Sequence, residues 1–536
     1  MTISLVTGAS DKPLLETTIG DNFDQTVAQF GAREAVVDVA TGRRWTYDQF
    51  SAEVNTLAKA LIDVGIAVGD RVGIWAVNCP EWSMVQFATA KIGAILVSVN
   101  PAYRAHEVEY VINQSGLRLI FAHTAFRSSD YESMIVEVSP RCPHLEQVVY
   151  FNSVAWSDLA EHGTRISDDD LLTVQASLRA NDPINIQYTS GTTGFPKGAT
   201  LSHRNILNNG YFVGELLGYT ENDRICVPVP FYHCFGMVMG NLGATSHGAC
   251  VVIPAPAFDP VPTLRACSKE RCTSLYGVPT MFISLINVER FDDYDLTALR
   301  TGAMAGAPCP VEVMKHVIEW IPEVAIAYGM TETSPASTQT RADDSIERRV
   351  TTIGRAHPHV ELKVIDPDTG DTVARGHSGE LCVRGYLVML GYWGHPEKTT
   401  ETIDGDGWIH TGDLAAMDGD GYISITGRMK DLVLRGGENI YPREIEEFLY
   451  THPDIVDAQV IGVPDEKYGE ELMAWIRLRP GAEDIDGHSL REFCRGRLAH
   501  YKIPRYVQCV DEFPMTVTGK VRKVEMREQA TALLNL

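Results

Sequence analysis

Residues 188–198 concentrate the groups that can hold a polyphosphate. They read Tyr-Thr-Ser-Gly-Thr-Thr-Gly-Phe-Pro-Lys-Gly, with three glycines, several hydroxyls and one lysine. Glycines let backbone N–H groups turn toward an anion, hydroxyls add donors, and Lys197 adds a mobile positive charge. Because Lys197 stands between Pro196 and Gly198, this is not a Walker A loop, which ends in Gly-Lys-Ser/Thr. The pattern predicts a phosphate-binding loop of another kind, and the alternative is a flexible surface loop.

Two elements should position this loop. The apolar run 184–188 predicts a short buried strand that leads into it. Ser202 predicts the N-cap of a helix that follows it.

A second polar segment, Tyr-Gly-Met-Thr-Glu at 328–332, follows a predicted strand at 324–327. A hydroxyl beside a carboxylate, here Thr331 and Glu332, can bind the phosphate of a nucleotide and its magnesium ion, which prefers hard oxygen ligands. Taken alone, the segment fits equally well a helix N-terminus with Glu332 in the first turn.

Three further segments offer weaker signals. Residues 302–308 are small and would permit close approach of a flat ring, although a tight crossover loop explains them too. Asp413, in Thr-Gly-Asp, carries a carboxylate that can accept both hydrogen bonds from a ribose diol, but aspartate in turns is usually structural. Lys520, in the Thr-Gly-Lys segment near the C-terminus, is by itself typical of a solvated surface group.

The order of these segments resembles that of the acyl-adenylate-forming (AMP-binding) superfamily, which includes acyl-CoA synthetases, luciferases and the adenylation domains of peptide synthetases. The resemblance covers essentially the whole chain. It is closest to the medium- and long-chain fatty-acid–CoA ligases, and it implies ATP, Mg²⁺ and coenzyme A as co-substrates.

The resemblance also implies the roles of individual residues. Lys520, Thr331, Glu332 and His233 would be catalytic, Glu332 would bind Mg²⁺, and Lys430 would be the pivot of a hinge. The residues that would bind ATP or AMP are Thr189, Ser190, Gly191, Thr192, Thr193, Gly194 and Lys197 in the phosphate loop, Gly306, Ala307, Pro308, Tyr328, Gly329 and Met330 around adenine, and Thr331, Asp413, Arg428 and Lys520. Arg435, Gly436 and Gly437 are candidates for binding coenzyme A.

The substrate class is indicated by the segment 230–236, Pro-Phe-Tyr-His-Cys-Phe-Gly. A lone histidine between aromatics is most often a packed core residue. In the superfamily, a comparable segment lies beside the acyl carboxylate, whereas amino-acid-activating domains place an aspartate there. Since this region is uncharged through residue 258, we expect a carboxylic acid without an α-amino group. His233, Gly236, Met237 and Gly240 are candidates for the acyl pocket, with the glycines leaving volume for the chain.

The alternation of strands and helices predicts an α/β fold. We expect a large N-terminal domain, residues 1–429, of parallel-rich sheets with helices and a small antiparallel subdomain that begins near residue 350. A small mobile α+β domain, residues 430–536, should follow, and it would carry Lys520.

Composition limits the function classes. The chain has 536 residues, a net charge of −24 and a pI of about 5.1, which argue against a nucleic-acid or anionic-membrane binder. Its 11 cysteines follow no disulfide or zinc spacing, which favours reduced thiols in the cytoplasm. We find no signal peptide and no integral membrane segment, since prolines and glycines interrupt the long uncharged stretch 225–258.

The sequence thus predicts an ATP-dependent, AMP-forming acid–CoA ligase whose partners are a small carboxylic acid, ATP and CoA. The alternatives are an aryl-acid CoA ligase, an adenylase that loads a carrier-protein thiol, and a non-catalytic nucleotide-binding scaffold on the same fold. The oligomeric state stays open, with a homodimer as one option.

Overall fold

The structure, a computed structural model, describes residues 2–189, 196–307, 309–436, 438–516 and 520–534, apart from the side chain of Asn439. Helices alternate with strands along most of the chain. The α-helices run over Ile19–Phe30, Tyr47–Asp63, Pro80–Ile92, Ala105–Ser115, Tyr131–Val138, Val154–His162, Asp168–Ala176, His203–Leu216, Gly243–Thr245, Pro260–Lys269, Pro279–Ile286, Val311–Trp320, Ile346–Thr351, Pro396–Thr402, Pro442–Leu449, Gly487–Cys494 and Lys523–Leu534. In the described parts of the chain, none combines the length and apolar character needed to cross a membrane.

Two large sheets carry the N-terminal part of the chain, and the central strands of each are parallel. The first sheet runs, from edge to edge, through Arg355–Ala356, Ala336–Gln339, Glu323–Gly329, Thr301–Ala305, Ser274–Gly277, Arg224–Cys226, Cys250–Ile253, Glu34–Asp38 and Arg43–Thr46. The second runs through Gly391–Tyr392, Lys197–Ser202, Pro183–Thr189, Ile95–Ser98, Arg71–Trp75, Leu117–Ala122 and Gln147–Tyr150. In each sheet antiparallel strands occur only toward the edges, among the strands that the structure describes.

The helix Pro80–Ile92 joins the two sheets. All of its residues are buried, and it packs against strands of both sheets. Its Lys91 is neutralised by Asp24 on a neighbouring helix, with Nζ and Oδ1 2.5 Å apart. A helix that lies between two sheets is buried on every side, so its charged residues need partners, as Lys91 has in Asp24.

Two smaller sheets follow. An antiparallel sheet contains Leu5–Thr7, Val360–Ile365, Ser378–Gly385, Ile409–Met417 and Ile423–Arg428 in that order. The C-terminal sheet runs through Glu438–Ile440, Val433–Arg435, Gly469–Leu478 and Ile455–Asp465, and Tyr506–Cys509 pairs in parallel with Gly469–Leu478. A short hairpin, Ala125–Phe126 with Ser129–Asp130, completes the strands. The predicted α/β class is confirmed, with a large N-terminal part and a small C-terminal part.

Several local predictions need correction. An additional strand, Lys197–Ser202, lies between the phosphate loop and the helix His203–Leu216, so the loop closes an antiparallel hairpin instead of connecting a strand to a helix. The predicted N-cap is present, because Ser202 Oγ accepts from the backbone N–H of Asn205 at 3.1 Å. The strand escaped prediction because a Lys-Gly-Ala-Thr start has little β-propensity.

Three segments that we expected to be loops or turns contain strands. The small-residue segment 302–308 begins inside the strand Thr301–Ala305, where a Cβ at Gly302 would lie 2.1 Å from the carbonyl oxygen of Leu275, so this position requires glycine. Asp413 lies within the strand Ile409–Met417, directly after Gly412, whose φ of +70° is readily adopted only by glycine. Glu438 and Asn439 belong to the strand Glu438–Ile440, which pairs antiparallel with Val433–Arg435.

Candidate active site

The structure brings together residues from four different elements at the carboxyl ends of the parallel strands, where ligands bind in open α/β sheets. The strand Pro183–Thr189 of the second sheet ends beside the short 3₁₀ turn Thr331–Thr333. This turn follows the strand Glu323–Gly329 of the first sheet. Thr189 Oγ1 lies 3.5 Å from Glu332 Oε1. Thr189, the first residue predicted to bind phosphate, therefore faces the predicted metal ligand.

Glu332 is buried and held in place on two sides. Its Oε1 accepts a hydrogen bond from the Tyr392 hydroxyl at 2.8 Å, and its carbonyl accepts from the backbone N–H of Met389 at 2.9 Å. Lys197 Nζ lies 4.6 Å from the ring centroid of Tyr392, so one tyrosine contacts both the loop lysine and the carboxylate. Tyr392 was not among the predicted site residues, because nothing in its sequence surroundings signals this contact.

Asp413, Tyr328 and Arg428 form a second cluster. Asp413 is buried, its Oδ2 accepts from the Tyr328 hydroxyl at 2.7 Å, and its Oδ1 accepts from Arg428 Nε at 2.7 Å. Each carboxylate oxygen has two lone pairs, so each can still accept one hydrogen bond from a ribose hydroxyl. Burial and the neighbouring Asp413 charge raise the pKa of Tyr328 well above its ordinary value, which keeps its hydroxyl a donor.

Glu380 is a further positioning residue that sequence reasoning missed. It is buried, and its Oε1 accepts from the backbone N–H of Gly412 at 3.0 Å, while its Oε2 lies 2.8 Å from His410 Nδ1. These contacts hold the backbone immediately before Asp413.

Lys520 reaches this region from the C-terminal part of the chain. Its Cε would be 3.5 Å from a Cβ built on Gly306, and Gly306 has a φ of +86°. Burial lowers the pKa of Lys520, as does the positive charge of Arg428, whereas Glu332 and Asp413 oppose this shift. The backbones of Lys520 and Thr516 are paired, with the Thr516 N–H donating to the Lys520 carbonyl at 2.7 Å. Lys520 therefore interacts electrostatically with both carboxylates.

Comparisons with known proteins place this geometry in a family. A model of the AMP-binding enzymes matches residues 23–393, and a model of their C-terminal domain matches residues 444–520. The chain belongs to the AMP-binding enzyme family.

Several similar proteins have names that describe CoA ligases or acyl-CoA synthetases. YngI from Bacillus subtilis (strain 168), assigned as an acyl-CoA synthetase, is 48% identical over 98% of this chain and 99% of its own length. The mitochondrial medium-chain acyl-CoA ligase ACSF2 of Danio rerio is 44% identical over 100% of this chain and 92% of its own. The anthranilate CoA ligase AuaEII, solved with anthranoyl-AMP, superposes with a TM-score of 0.86 at 26% identity, over 98% of this chain and 99% of AuaEII. The predicted family and the predicted enzyme class, an AMP-forming acyl-CoA ligase, are confirmed.

The remaining residues that we predicted to bind ATP or AMP have the following positions in this AMP-binding enzyme. Gly329 ends the strand Glu323–Gly329, and a Cβ there would lie 1.8 Å from the carbonyl oxygen of Pro335. Met330 and Thr331 follow directly, and Ala307 lies beside Gly306. Predictions that fall outside the described residues are those on Ser190, Gly191, Thr192, Thr193, Gly194, Pro308 and Gly437.

In the AMP-binding enzyme, His233 lies within electrostatic range of Lys520. Burial, reinforced by the positive charge of Lys520, lowers the pKa of His233 to about 3. Its Nδ1 accepts from the backbone N–H of Phe235 at 3.1 Å, so the single proton of the neutral ring lies on Nε2. His233 can therefore donate a hydrogen bond near Lys520, but it cannot supply a positive charge at neutral pH.

The glycines predicted to leave volume for an acyl chain do not do so. They belong to a π-helix, Phe235–Leu242, and not to a regular α-helical face. A Cβ at Gly236 would lie 2.3 Å from the carbonyl oxygen of Pro230, and one at Gly240 would lie 2.9 Å from Val227 Cγ1. Both glycines serve close packing. Met237 is buried, and its Sδ lies 2.8 Å from Gln187 Nε2.

The candidates for binding coenzyme A lie on the C-terminal hairpin. Arg435 is paired with the buried Glu471 through two hydrogen bonds of 2.6 and 2.8 Å, and its guanidinium stands 4.3 Å from the ring centroid of Tyr468. The charge of Arg435 is thus already neutralised by a residue of the neighbouring strand Gly469–Leu478. Gly436 turns the hairpin with a φ of +59°.

The predicted hinge residue, Lys430, lies in the 3₁₀ turn Met429–Asp431 between the antiparallel sheet and the C-terminal hairpin. Asp431 accepts from Arg527 Nη2 at 3.1 Å, which ties this turn to the C-terminal helix Lys523–Leu534.

Proposed function

We propose that this enzyme activates a medium- or long-chain fatty acid with ATP and transfers the acyl group to coenzyme A. The observation that carries the proposal is that Thr189 meets Glu332 at 3.5 Å, while the buried Lys520 interacts electrostatically with Glu332 and Asp413. The names of the relatives YngI and ACSF2 support the acyl class of substrate.

In the first half-reaction the fatty-acid carboxylate would attack the α-phosphorus of ATP, and pyrophosphate would leave. Lys520 would hold both anions together while charge develops on the phosphoryl oxygens. Lys197 and the phosphate loop would bind the β- and γ-phosphates, and Asp413 would accept the ribose hydroxyls. Aligning two reactants in this way can lower the barrier by about 7–11 kcal/mol.

Glu332 and Thr189 offer the hard oxygen donors that suit Mg²⁺, which takes few ligands from protein and the rest from phosphates and water. The ion would neutralise phosphate charge. Tyr392 would orient the Glu332 carboxylate, and His233, neutral and donating through Nε2, would face the acyl carboxylate.

In the second half-reaction the CoA thiol would attack the acyl carbonyl, and AMP would leave. We propose that residues 430–536 rotate about Lys430 between the two steps, so that Lys520 leaves the cleft and the hairpin at Gly436 and Gly437 takes its place. We also propose a cytoplasmic location, supported by the cysteines, all 11 of which are free thiols.

The test is ATP-dependent loss of free CoA thiol with purified protein, Mg²⁺ and acids from acetate to palmitate, together with benzoate and cinnamate. We expect thiol loss with AMP formation, greatest for an aliphatic acid of medium or long chain. A preference for benzoate or cinnamate would establish the aryl-acid alternative. Pyrophosphate release without thiol loss would favour loading of a carrier protein, and no release with any acid would contradict the proposal.

A further inference from the structure

Three buried cysteines meet in the core of the first sheet, and none belongs to the residues assigned to the nucleotide. Cys226 ends the strand Arg224–Cys226, Cys267 lies on the helix Pro260–Lys269, and Cys272 lies between that helix and the next strand. Their sulfur atoms all lie within 4.8 Å of one another, and each residue is at most 1% exposed. We call this group the thiol cluster.

The end of the helix explains why two of these thiols meet. The backbone N–H of Cys272 donates to the Cys267 carbonyl at 3.0 Å, that of Arg271 donates to the Ser268 carbonyl at 3.4 Å, and Arg271 has a φ of +49°. These are the hydrogen bonds of a Schellman motif, which brings together the side chains at the positions of Cys267 and Cys272. An apolar pair usually occupies those positions. This chain has two thiols there, and the strand supplies a third.

The surroundings of the cluster are dry and apolar, and they include the fully buried Leu264 and Leu275. The neighbouring Arg224, which begins the strand that carries Cys226, is already paired with Glu34 and Glu270. Three soft sulfur donors in an apolar shell suit a soft ion of low charge.

We propose that Cys226, Cys267 and Cys272 bind one soft, thiophilic, monovalent metal ion of the Cu(I) class. Three sulfur atoms at about 2.3 Å from a central ion lie about 4.0 Å apart in a trigonal plane, within the observed limit. Thiolates select Cu(I) by softness. Zn²⁺ in structural sites takes four ligands, and among the described residues no fourth histidine, cysteine or carboxylate joins this group. Binding of the ion would release thiol protons to solvent.

The experiment measures Cu(I) retained by the reduced, full-length enzyme. Cu(I) is supplied without oxygen, a competing chelator is added, and the protein is separated by gel filtration for metal analysis. We expect about one Cu(I) per chain, held because the site is sealed from water, and a raised melting temperature. Cys226→Ala and Cys272→Ala should each lose this ion. Cys142→Ala, which removes a buried cysteine outside the cluster, should keep it.

Failure of the wild-type enzyme to hold Cu(I) against the chelator would overturn the proposal, and this measurement does not depend on any variant. Equal retention by both cluster variants, with native circular dichroism, would also overturn it. Zn²⁺ held as firmly as Cu(I) would refute the assignment of the ion class.

Discussion

At the scale of single residues, removal of the Lys520 ammonium group should slow the first half-reaction and leave the second unchanged. Lys520 interacts electrostatically with Glu332 and Asp413, and we propose that it meets the fatty-acid carboxylate and the α-phosphate. We expect Lys520→Ala to slow adenylation by about 10²–10³, the scale for losing one charge-stabilising contact. Thioester formation from supplied acyl-adenylate should keep its rate.

The matched control is Lys467→Ala, which removes an exposed lysine from the same C-terminal part of the chain. Both half-reactions should be unchanged in it. Equal loss of adenylation and thioester formation in Lys520→Ala would contradict a role confined to the first step.

The same lysine should set the pH dependence of adenylation. A lysine is charged below its pKa, and the pKa of Lys520 is lowered by burial and by Arg428. The rate should therefore fall as pH rises through this lowered value, before an ordinary lysine, with a pKa of about 10.4, would lose its proton. His233, with a pKa of about 3, stays neutral over this pH range and causes no second change in rate.

Single-turnover formation of the adenylate, followed against pH at saturating MgATP, measures this fall in rate. The fall should be absent in Lys520→Arg, because the guanidinium stays charged. The same fall in that variant would assign the titration to another group.

The ring of Tyr392 contacts Lys197, and its hydroxyl contacts Glu332, the carboxylate that we propose binds Mg²⁺. We expect loss of the hydroxyl alone to slow adenylation. Tyr392→Phe keeps the ring under Lys197 and removes the 2.8 Å hydrogen bond to Glu332. Losing a hydrogen bond to a charged group costs about 1.5 kcal/mol or more, so adenylation should fall about tenfold. We also expect the Mg²⁺ concentration for half-maximal rate to change.

Tyr450→Phe is the control for this variant. It removes a similar hydrogen bond, from the Tyr450 hydroxyl to Asp457 Oδ1 at 2.6 Å, outside the site. It should lower stability without altering the Mg²⁺ dependence. If both variants respond to Mg²⁺ alike, Tyr392 has only a structural role.

At the scale of elements, the C-terminal hairpin combines a proposed CoA contact with a buried ion pair. Arg435→Ala would leave the carboxylate of Glu471, 2% exposed, without its partner. We expect a loss of about 3–5 kcal/mol in the free energy of unfolding of this part of the chain, measured in urea.

Activity separates the two roles of Arg435. If it only supports the hairpin, the double variant Arg435→Met with Glu471→Leu should recover stability and the KM for CoA together. If Arg435 contacts CoA, the KM for CoA should stay high in the double variant. Adenylation, which does not involve CoA, serves as the internal control.

At the scale of the whole molecule, Lys430 lies where the chain crosses from the antiparallel sheet into the C-terminal part. Proline fixes φ near −65°, which suits the 3₁₀ turn observed here and resists rotation. Lys430→Pro should therefore keep adenylation and slow thioester formation by more than about 10², because the barrier of the second step would include a blocked rotation.

Lys430→Ala controls for the contacts of the side chain and should keep both half-reactions. Single-turnover measurements of each half-reaction decide the outcome. Normal thioester formation in the proline variant would place the pivot elsewhere.

Much of the fold and of the site was predictable from sequence, because the relevant signals are local. The run 184–188, the cap at Ser202 and the strand before Tyr328 depend on side-chain periodicity and on the nearest backbone groups. The order of the motifs identified the family. The strand Lys197–Ser202 and the strand that carries Asp413 were missed, because pairing with neighbours stabilises them more than their own composition does.

The sequence by itself determined the residue types available for chemistry, their order and the family they belong to. Only the tertiary structure decided which of them meet: Tyr392 with Glu332, Tyr328 with Asp413, Glu380 with Gly412, and the three cysteines of the thiol cluster. It also showed that Pro230 and Val227 occupy the space where side chains at Gly236 and Gly240 would begin. The physical reason is that spacing along the chain governs contacts within one helix or strand, whereas sheet order and helix packing bring distant residues together.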